Sequence, residues 1–375
     1  MKLLFVGAGQ SPHMHGWEAY FVKAGHTVHL LTLHLPNMPS GVGEPGVRVH
    51  YLPGQRLLAG PHAGIIRSLW AALYIFYLVR RYRIDVVHAH QVIPYGFWGA
   101  LSRSKPLVVT AWGSDLLTEP YASRRAMRYV HFTLSRAQLL TADSRHLLAA
   151  ALKHGLKAPG MVVQLGVDTT EFTPGDKKLA RSELGLDPDV PLVLSPRSLT
   201  PVYNIDTVIS SVPLVLSRIP SAFFIIKYWY GGGHEVALQR QVERLEVAHR
   251  VRFVGPVETE DIISYYTAAD VCVSVASSDS SPKSVLEAMA CGTPVVLSDL
   301  PWVHEHIEDE REALLVPPRD HYMLAESTVR LLNDDGLRGR LAAAGREMVL
   351  RHADYNRSML QMNELYKALL ARKPL

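Results

Sequence analysis

Thirteen short runs of Val, Ile, Leu and Phe recur along the chain, separated by helix-forming stretches, and this alternation restricts the fold more than any other feature. A strand with helices before and after it is covered on both faces, so it reads as a continuous apolar run and not as alternating apolar and polar residues. Strands are therefore expected at Leu3–Val6, Thr27–Leu33, Val47–Leu52, Val86–Ala89, Leu107–Thr110, Leu139–Ala142 and Met161–Leu165. The second series is Leu192–Ser195, Phe223–Tyr228, Val251–Val254, Val271–Val275, Pro294–Leu297 and Leu314–Val316. Between the two series lies GVDTTEFTPG, residues 166–175, whose Gly, Asp and Pro mark a linker. The chain has 375 residues, more than one hydrophobic core usually serves. The expected architecture is α/β, two doubly wound parallel-sheet (Rossmann-like) domains facing a cleft. The boundaries are placed at 1–170 and 185–350, with 351–375 a helix returning to the first domain.

Composition narrows the function classes. The net charge is only +4 with His neutral, and no nucleic-acid-binding motif occurs, so nucleic acid is not an expected partner. Cys272 and Cys291 fall in apolar surroundings without metal-ligand spacing, which suits a reducing, cytoplasmic setting. The apolar run at the N-terminus stops after Val6, too short for the core of a secretion signal and right for a first strand. No run is long enough to span a bilayer.

One helical stretch departs from the usual two-faced pattern. Ile65–Val79 reads IIRSLWAALYIFYLV, apolar or aromatic on every side from Leu69 onward, and Arg80, Arg81 and Arg83 follow. A helix apolar all round is normally buried. The alternative is a helix lying in a membrane interface, with Trp70, Tyr74 and Tyr77 at headgroup depth and the arginines near anionic lipid.

The richest chemistry lies in Asp270–Asp299, DVCVSVASSDSSPKSVLEAMACGTPVVLSD. It reads as strand, polar loop, short helix begun by Ser284, and strand, and ligands of parallel sheets sit where strand ends meet helix starts. Asp279 and Glu287 lie on either side of that helix start. Ser284 and Glu287 fit a capping box, in which they satisfy amides of the first turn. Glu287 equally suits the two hydroxyls of a ribose, and the spacing to Asp279 favours that reading. Arg197 directly follows a buried strand, and its planar fork suits phosphate oxygens. Lys283 and Lys227 are further cations within reach of such a group.

In the first half, Gly7-Ala-Gly9 lacks the third glycine of a dinucleotide fingerprint, because Pro12 stands there, so NAD is not expected. His13 and His15 form an H-x-H pair without a third ligand. His88 and His90 alternate on one strand and share a face, with His90 nearer the carboxyl end.

These motifs resemble the retaining glycosyltransferases of family 4, enzymes of the GT-B fold. The likeness rests on the acid-spaced helix with AMACGTPVV behind it, TADSRHLLAAALKHG, and Gly166-Val-Asp168 with Phe172 and Pro174. It covers nearly the whole chain. It implies a nucleotide-diphosphate sugar as co-substrate, a hydroxyl acceptor (glycan, lipid-linked or small molecule), and no metal or other cofactor. Asp279 would meet the transferred sugar, Arg197 the diphosphate and Glu287 the ribose. Tyr203, Lys283, Ser284 and Val285 would complete the donor side, with the base near Gly255 and Val257. His90 would join the two acids as a catalytic residue, and His15, Gly16, Trp112, Gly113 and Asp115 would line the acceptor side. The expected location is the cytoplasm, with peripheral contact at the inner membrane face if the acceptor is a lipid. Departures from the family pattern are Asp at 279 for Glu, Tyr203-Asn204 for Lys-Gly, Trp112 for His, and Ser280-Ser-Pro-Lys283 for a glycine-bearing loop. A sugar-nucleotide epimerase or phosphorylase of the same fold, or a non-catalytic nucleotide-sugar binder, are the other readings.

Overall fold

The computed structural model describes residues 1–33, 42–55, 64–257 and 259–373. Its contacts divide the chain into two units, one formed by Met1–Leu165 with Arg357–Leu375 and one by Gly166–Asn356. In the first unit the strands are β1 (Lys2–Val6), β2 (Thr27–Thr32), β3 (Arg48–Tyr51), β4 (Val86–His90), β5 (Leu107–Thr110), β6 (Leu139–Ala142) and β7 (Gly160–Val162). They form one parallel sheet in the order β3-β2-β1-β4-β5-β6-β7. The second unit carries β8 (Leu192–Ser195), β9 (Phe223–Lys227), β10 (Val251–Val254), β11 (Val271–Ser274), β12 (Val295–Ser298) and β13 (Leu314–Val316). Its parallel sheet runs β10-β9-β8-β11-β12-β13. In both sheets the first strand of the series lies beside the fourth. There the connections leave in opposite directions and open a crevice at the strands' carboxyl ends.

Burial explains why the strands read as unbroken apolar runs. Leu4, Val6, Val87, Ala89 and Val109 join one core with Ala71, Ile75, Trp98, Val130 and Leu134 from the helices on that face. On the opposite face Phe5 and His88 pack against Trp17, and Tyr366 closes over His88 and Phe21.

The Gly64–Tyr82 helix corrects the expectation of burial. Its inward side is made of small or slender residues, Ser68, Ala71, Ala72, Ile75 and Leu78. Leu69, Leu73, Phe76 and Tyr77 point outward and are 45–62% exposed. Small residues let the helix approach its neighbour, the helix Phe97–Ser102, where Trp98 Nε1 donates to Ser68 Oγ at 3.1 Å. No described helix is long and apolar enough to cross a membrane.

The C-terminal stretch forms three helices. His321–Asn333 and Asp335–His352 lie in the second unit, and nearly all of Tyr355–Leu370 belongs to the first. The Tyr366 hydroxyl is 2.5 Å from His88 Nδ1, and Asn363 Oδ1 is 3.0 Å from His26 Nε2. Where the chain enters the second unit, Val167 N–H donates to Ala353 O at 2.8 Å and Tyr355 N–H donates to Val167 O at 3.0 Å. Gly166 has φ +70°, and a Cβ there would lie 2.7 Å from Tyr355 Cα, so the position requires glycine.

Candidate active site

In the second unit, β8 and β11 are adjacent, with Val193 opposite Val271 and Leu194 opposite Cys272. The loops after these two strands supply a connected set of charged groups at the point where ligands of such sheets sit. Arg197, two residues beyond β8, is 7% exposed. Its guanidinium donates to Asp279 Oδ2 at 2.5 Å and to Ser284 Oγ at 3.1 Å. The Tyr203 ring lies 4.1 Å from its central carbon, a cation–π stack that fixes the plane of the fork. Burial opposes charge on Arg197, but the Asp279 carboxylate, together with Tyr203, Tyr266 and Cys272, outweighs it and holds the pKa above its usual value. Burial raises the pKa of Asp279, and Arg197 only partly draws it back.

Glu287 lies one turn further along the Lys283–Ala290 helix. Tyr266 donates its hydroxyl to Glu287 Oε2 at 2.8 Å, and Lys283 Nζ is 3.5 Å from Oε1. The capping reading does not hold. The N-cap is Pro282, with no side-chain cap hydrogen bond, and Ser284 lies inside the helix with its hydroxyl turned to Arg197. Lys227, the last residue of β9, is buried, and desolvation lowers its pKa against the opposing pull of Glu287.

Two features of the loops stand in for missing glycines. Asn204 takes φ +50° and Ser281 φ +43°, the left-handed region that Gly favours. Asn204 also donates Nδ2 to Val275 O and Ser277 Oγ, both at 2.8 Å, tying the β8 loop to the β11 loop. Arg319 Nε reaches Ser277 Oγ at 3.2 Å and braces this junction. Tyr266 and Arg319 were not singled out in the sequence, and Asn204 entered only as a departure from the family's Lys-Gly. For Asn204 the signal was present, since Asn tolerates the left-handed conformation better than most residues.

Other expected donor residues fare differently. Val285 is wholly buried in the core, and its N–H donates to Pro282 O, so its role is packing. Gly255 and Val257 follow β10, two strands away from β8 in the sheet order. The space where a Gly255 Cβ would stand is open.

In the first unit, His90 ends β4 and is fully buried. Its ring lies 4.2 Å from that of His88 and 4.9 Å from Trp17, and neither nitrogen has a hydrogen-bond partner among the described residues. Burial holds its pKa down at about 3, so it is neutral at physiological pH. Trp112 packs its ring 5.3 Å from His13 and 6.0 Å from His90. Asp115 is also fully buried, and its carboxylate accepts the N–H groups of Val92, Trp112 and Gly113 at 2.6, 3.0 and 2.9 Å. These bonds pin the β5 loop, with Gly113 at φ +116°, to the β4 loop. Asp115 is thus a positioning carboxylate. His15 and Gly16 sit in the Pro12–Lys23 helix, where His15 Nε2 is 3.1 Å from Gly9 O and Nδ1 is 3.6 Å from Glu44.

The fold has close likenesses among solved structures. Sucrose-phosphate synthase from Thermosynechococcus elongatus is similar over 100% of both chains, with a TM-score of 0.85 at 22% identity. The Anabaena HepE protein, solved in complex with UDP-glucose, is similar over 98% of this chain and 100% of its own, with a TM-score of 0.80 at 19% identity. These place the chain in the GT-B fold class. Residues 2–144 match the family described as glycosyl transferase 4-like, and residues 176–348 match glycosyl transferases group 1. The chain belongs to the family-4-like glycosyltransferases. A D-inositol 3-phosphate glycosyltransferase of Catenulispora acidiphila is 33% identical over 184 residues, 47% of this chain and 43% of that protein. The chain thus spans less than half the length of that curated relative.

Proposed function

We propose that the chain is a retaining glycosyltransferase that moves a sugar from a nucleotide-diphosphate sugar to a hydroxyl acceptor. The observation that carries this reading is the Arg197–Asp279–Ser284 cluster, with Glu287 one turn on, at the switch point of the second sheet. Arg197 binds the diphosphate, Asp279 the hydroxyls of the transferred sugar, Glu287 the ribose, and the Gly255–Val257 segment the base. Lys283 and Lys227 add positive charge beside the diphosphate, where Tyr203 stands without charge. The bond from the anomeric carbon to the diphosphate oxygen breaks as the acceptor oxygen bonds to that carbon on the same face. The departing phosphate oxygen takes the acceptor's proton. No protein nucleophile is needed, and the chain's contribution is positioning and stabilisation of charge on the leaving group.

His90 and Trp112 are assigned to the acceptor side, with His15, Gly16 and Gly113. UDP-sugars are the first donors to try, because HepE was solved with UDP-glucose. The exposed outer face of the Gly64–Tyr82 helix supports a lipid-linked acceptor at the cytoplasmic face of a membrane.

Calorimetry with UDP, GDP and ADP tests the donor assignment. Loss of a charge-assisted hydrogen bond costs about 1.5 to 3 kcal/mol, so Glu287→Ala weakens the preferred nucleotide at least about tenfold. Unchanged affinity for every nucleotide would remove Glu287 from the site. Incubation with a panel of nucleotide sugars then separates the activities. A transferase slowly releases free nucleotide, an epimerase returns a different sugar nucleotide, and a binder does neither.

A further inference from the structure

We propose that the first unit docks on an anionic phospholipid surface through the outer face of the Gly64–Tyr82 helix and a basic rim at the amino edge of its sheet. The inference rests on this helix and rim, not on the donor assignment. Ile66, Leu69, Leu73, Phe76 and Tyr77 recur at intervals of three or four along one side and are all exposed. A helix face open to water normally carries charge, yet no charged residue occurs between Arg67 and Arg80. Contiguous exposed apolar surface of this kind marks a binding surface.

The charges stand at one end. A helix that crosses between parallel strands runs opposite to them, so its C-terminus returns to the sheet's amino edge. Arg80, Arg81 and Arg83 therefore lie beside the start of β4, and all three are exposed. Arg103 and Lys105 precede β5 at the same edge, and Arg136 ends the helix that leads to β6. These three cations, with Ser104, line a cavity of about 210 Å³. None of the six basic residues is in an ion pair with a described residue. The helices 64–82, 97–102 and 124–136 pack on the same face of the sheet, so the apolar stripe and the rim belong to one layer.

Charge decides between occupants. A second copy of the chain would bring the same arginines towards one another, whereas a bilayer with anionic headgroups supplies the opposite sign beside an apolar interior. Trp70, Tyr74 and Tyr77 are the residue types that settle at headgroup depth. The phosphate of a lipid headgroup is the ligand suited to Arg103, Lys105 and Arg136.

The test is sedimentation of the full chain with vesicles of phosphatidylcholine alone or with about one-third phosphatidylglycerol. The chain should sediment with the anionic vesicles only, and high salt should weaken the binding. Leu73→Glu should abolish it. Arg80→Gln, Arg81→Gln and Arg83→Gln together should weaken it at least about tenfold, as should Arg103→Gln, Lys105→Gln and Arg136→Gln. An unchanged far-UV circular dichroism spectrum and thermal midpoint of the first unit should report that each variant is folded, and nucleotide affinity of the second unit should be unchanged. Absence of binding to anionic vesicles, or binding indifferent to Leu73→Glu, would overturn the proposal. A dimer in sedimentation equilibrium that Leu73→Glu dissociates would assign the face to a second copy and overturn it as well.

Discussion

In the free chain the guanidinium of Arg197 is already neutralised by Asp279 at 2.5 Å. Under the proposed donor assignment, a diphosphate arriving at Arg197 competes with that carboxylate, and Asp279 becomes available to a sugar hydroxyl only when the pair opens. Asp279→Asn should therefore tighten UDP by about threefold or more, since a charged competitor is lost, while turnover of the nucleotide sugar falls. Calorimetry beside a turnover assay reads both quantities. Weaker UDP binding in this variant would mean that Asp279 holds Arg197 in place and does not compete for it. Arg197, Asp279 and Glu287 were legible in the sequence because each stands just past a strand or on the helix that follows one. Tyr266 was not, because nothing local to it announces a partner twenty-one positions away. The capping box failed because the N-cap is Pro282, two residues before the Ser284 that the pattern suggests.

Elements were easier to read than their orientation. All thirteen strands overlap the apolar runs, the inner ones because burial on both faces leaves an unambiguous signature, while the edge strands β3, β7 and β10 are only partly buried. The Gly64–Tyr82 helix was legible as a helix but not in its facing. Apolar residues on every side give no clue to which side is inward, and the packing selects the small residues. The Tyr355–Leu370 helix shows what an element contributes when it is added from far along the chain. Tyr366→Phe would leave His88 Nδ1 buried without its partner, at a cost of about 1 to 3 kcal/mol. Thermal unfolding should show a lower midpoint for the first unit, with nucleotide affinity of the second unit kept. An unshifted midpoint would show that the hydroxyl contributes nothing.

At the scale of the molecule, stability should peak near neutral pH, through opposing shifts in the first unit. Burial lowers the pKa of His29 to about 4 and of His90 to about 3, and also lowers that of His88. These groups are bound as neutral rings, so their contribution is present above about pH 6.5 and is lost as pH falls through the folded values. Burial raises Glu18 to about 8 and Asp115 to about 6. A carboxyl held protonated in the fold contributes most below its unfolded pKa, and stability falls as pH rises through the folded value. Asp115 therefore acts against the histidines on the acid side. Between about pH 6.5 and 8 the decline belongs mainly to Glu18. Glu18→Gln should flatten that alkaline limb and leave the acid limb in place, as read by denaturant unfolding across pH. An alkaline decline of the same size in the variant would exclude Glu18 as its source.

The first unit is assembled from two stretches of chain, with the whole of the second unit between them. A ribosome delivers the seven strands of the first sheet early and the Tyr366 helix only after the whole second unit. During synthesis His26 and His88 each wait for one of their two partners, and the side of Phe21 that meets Tyr366 stays uncovered. The second unit can complete its core while still tethered to the ribosome; the first can do so only after Asn363 and Tyr366 have emerged. A transcript cut short after the second unit would yield a complete second unit joined to an unfinished first one. The Tyr355–Leu370 helix thus makes completion of the first unit wait on translation of the whole second unit.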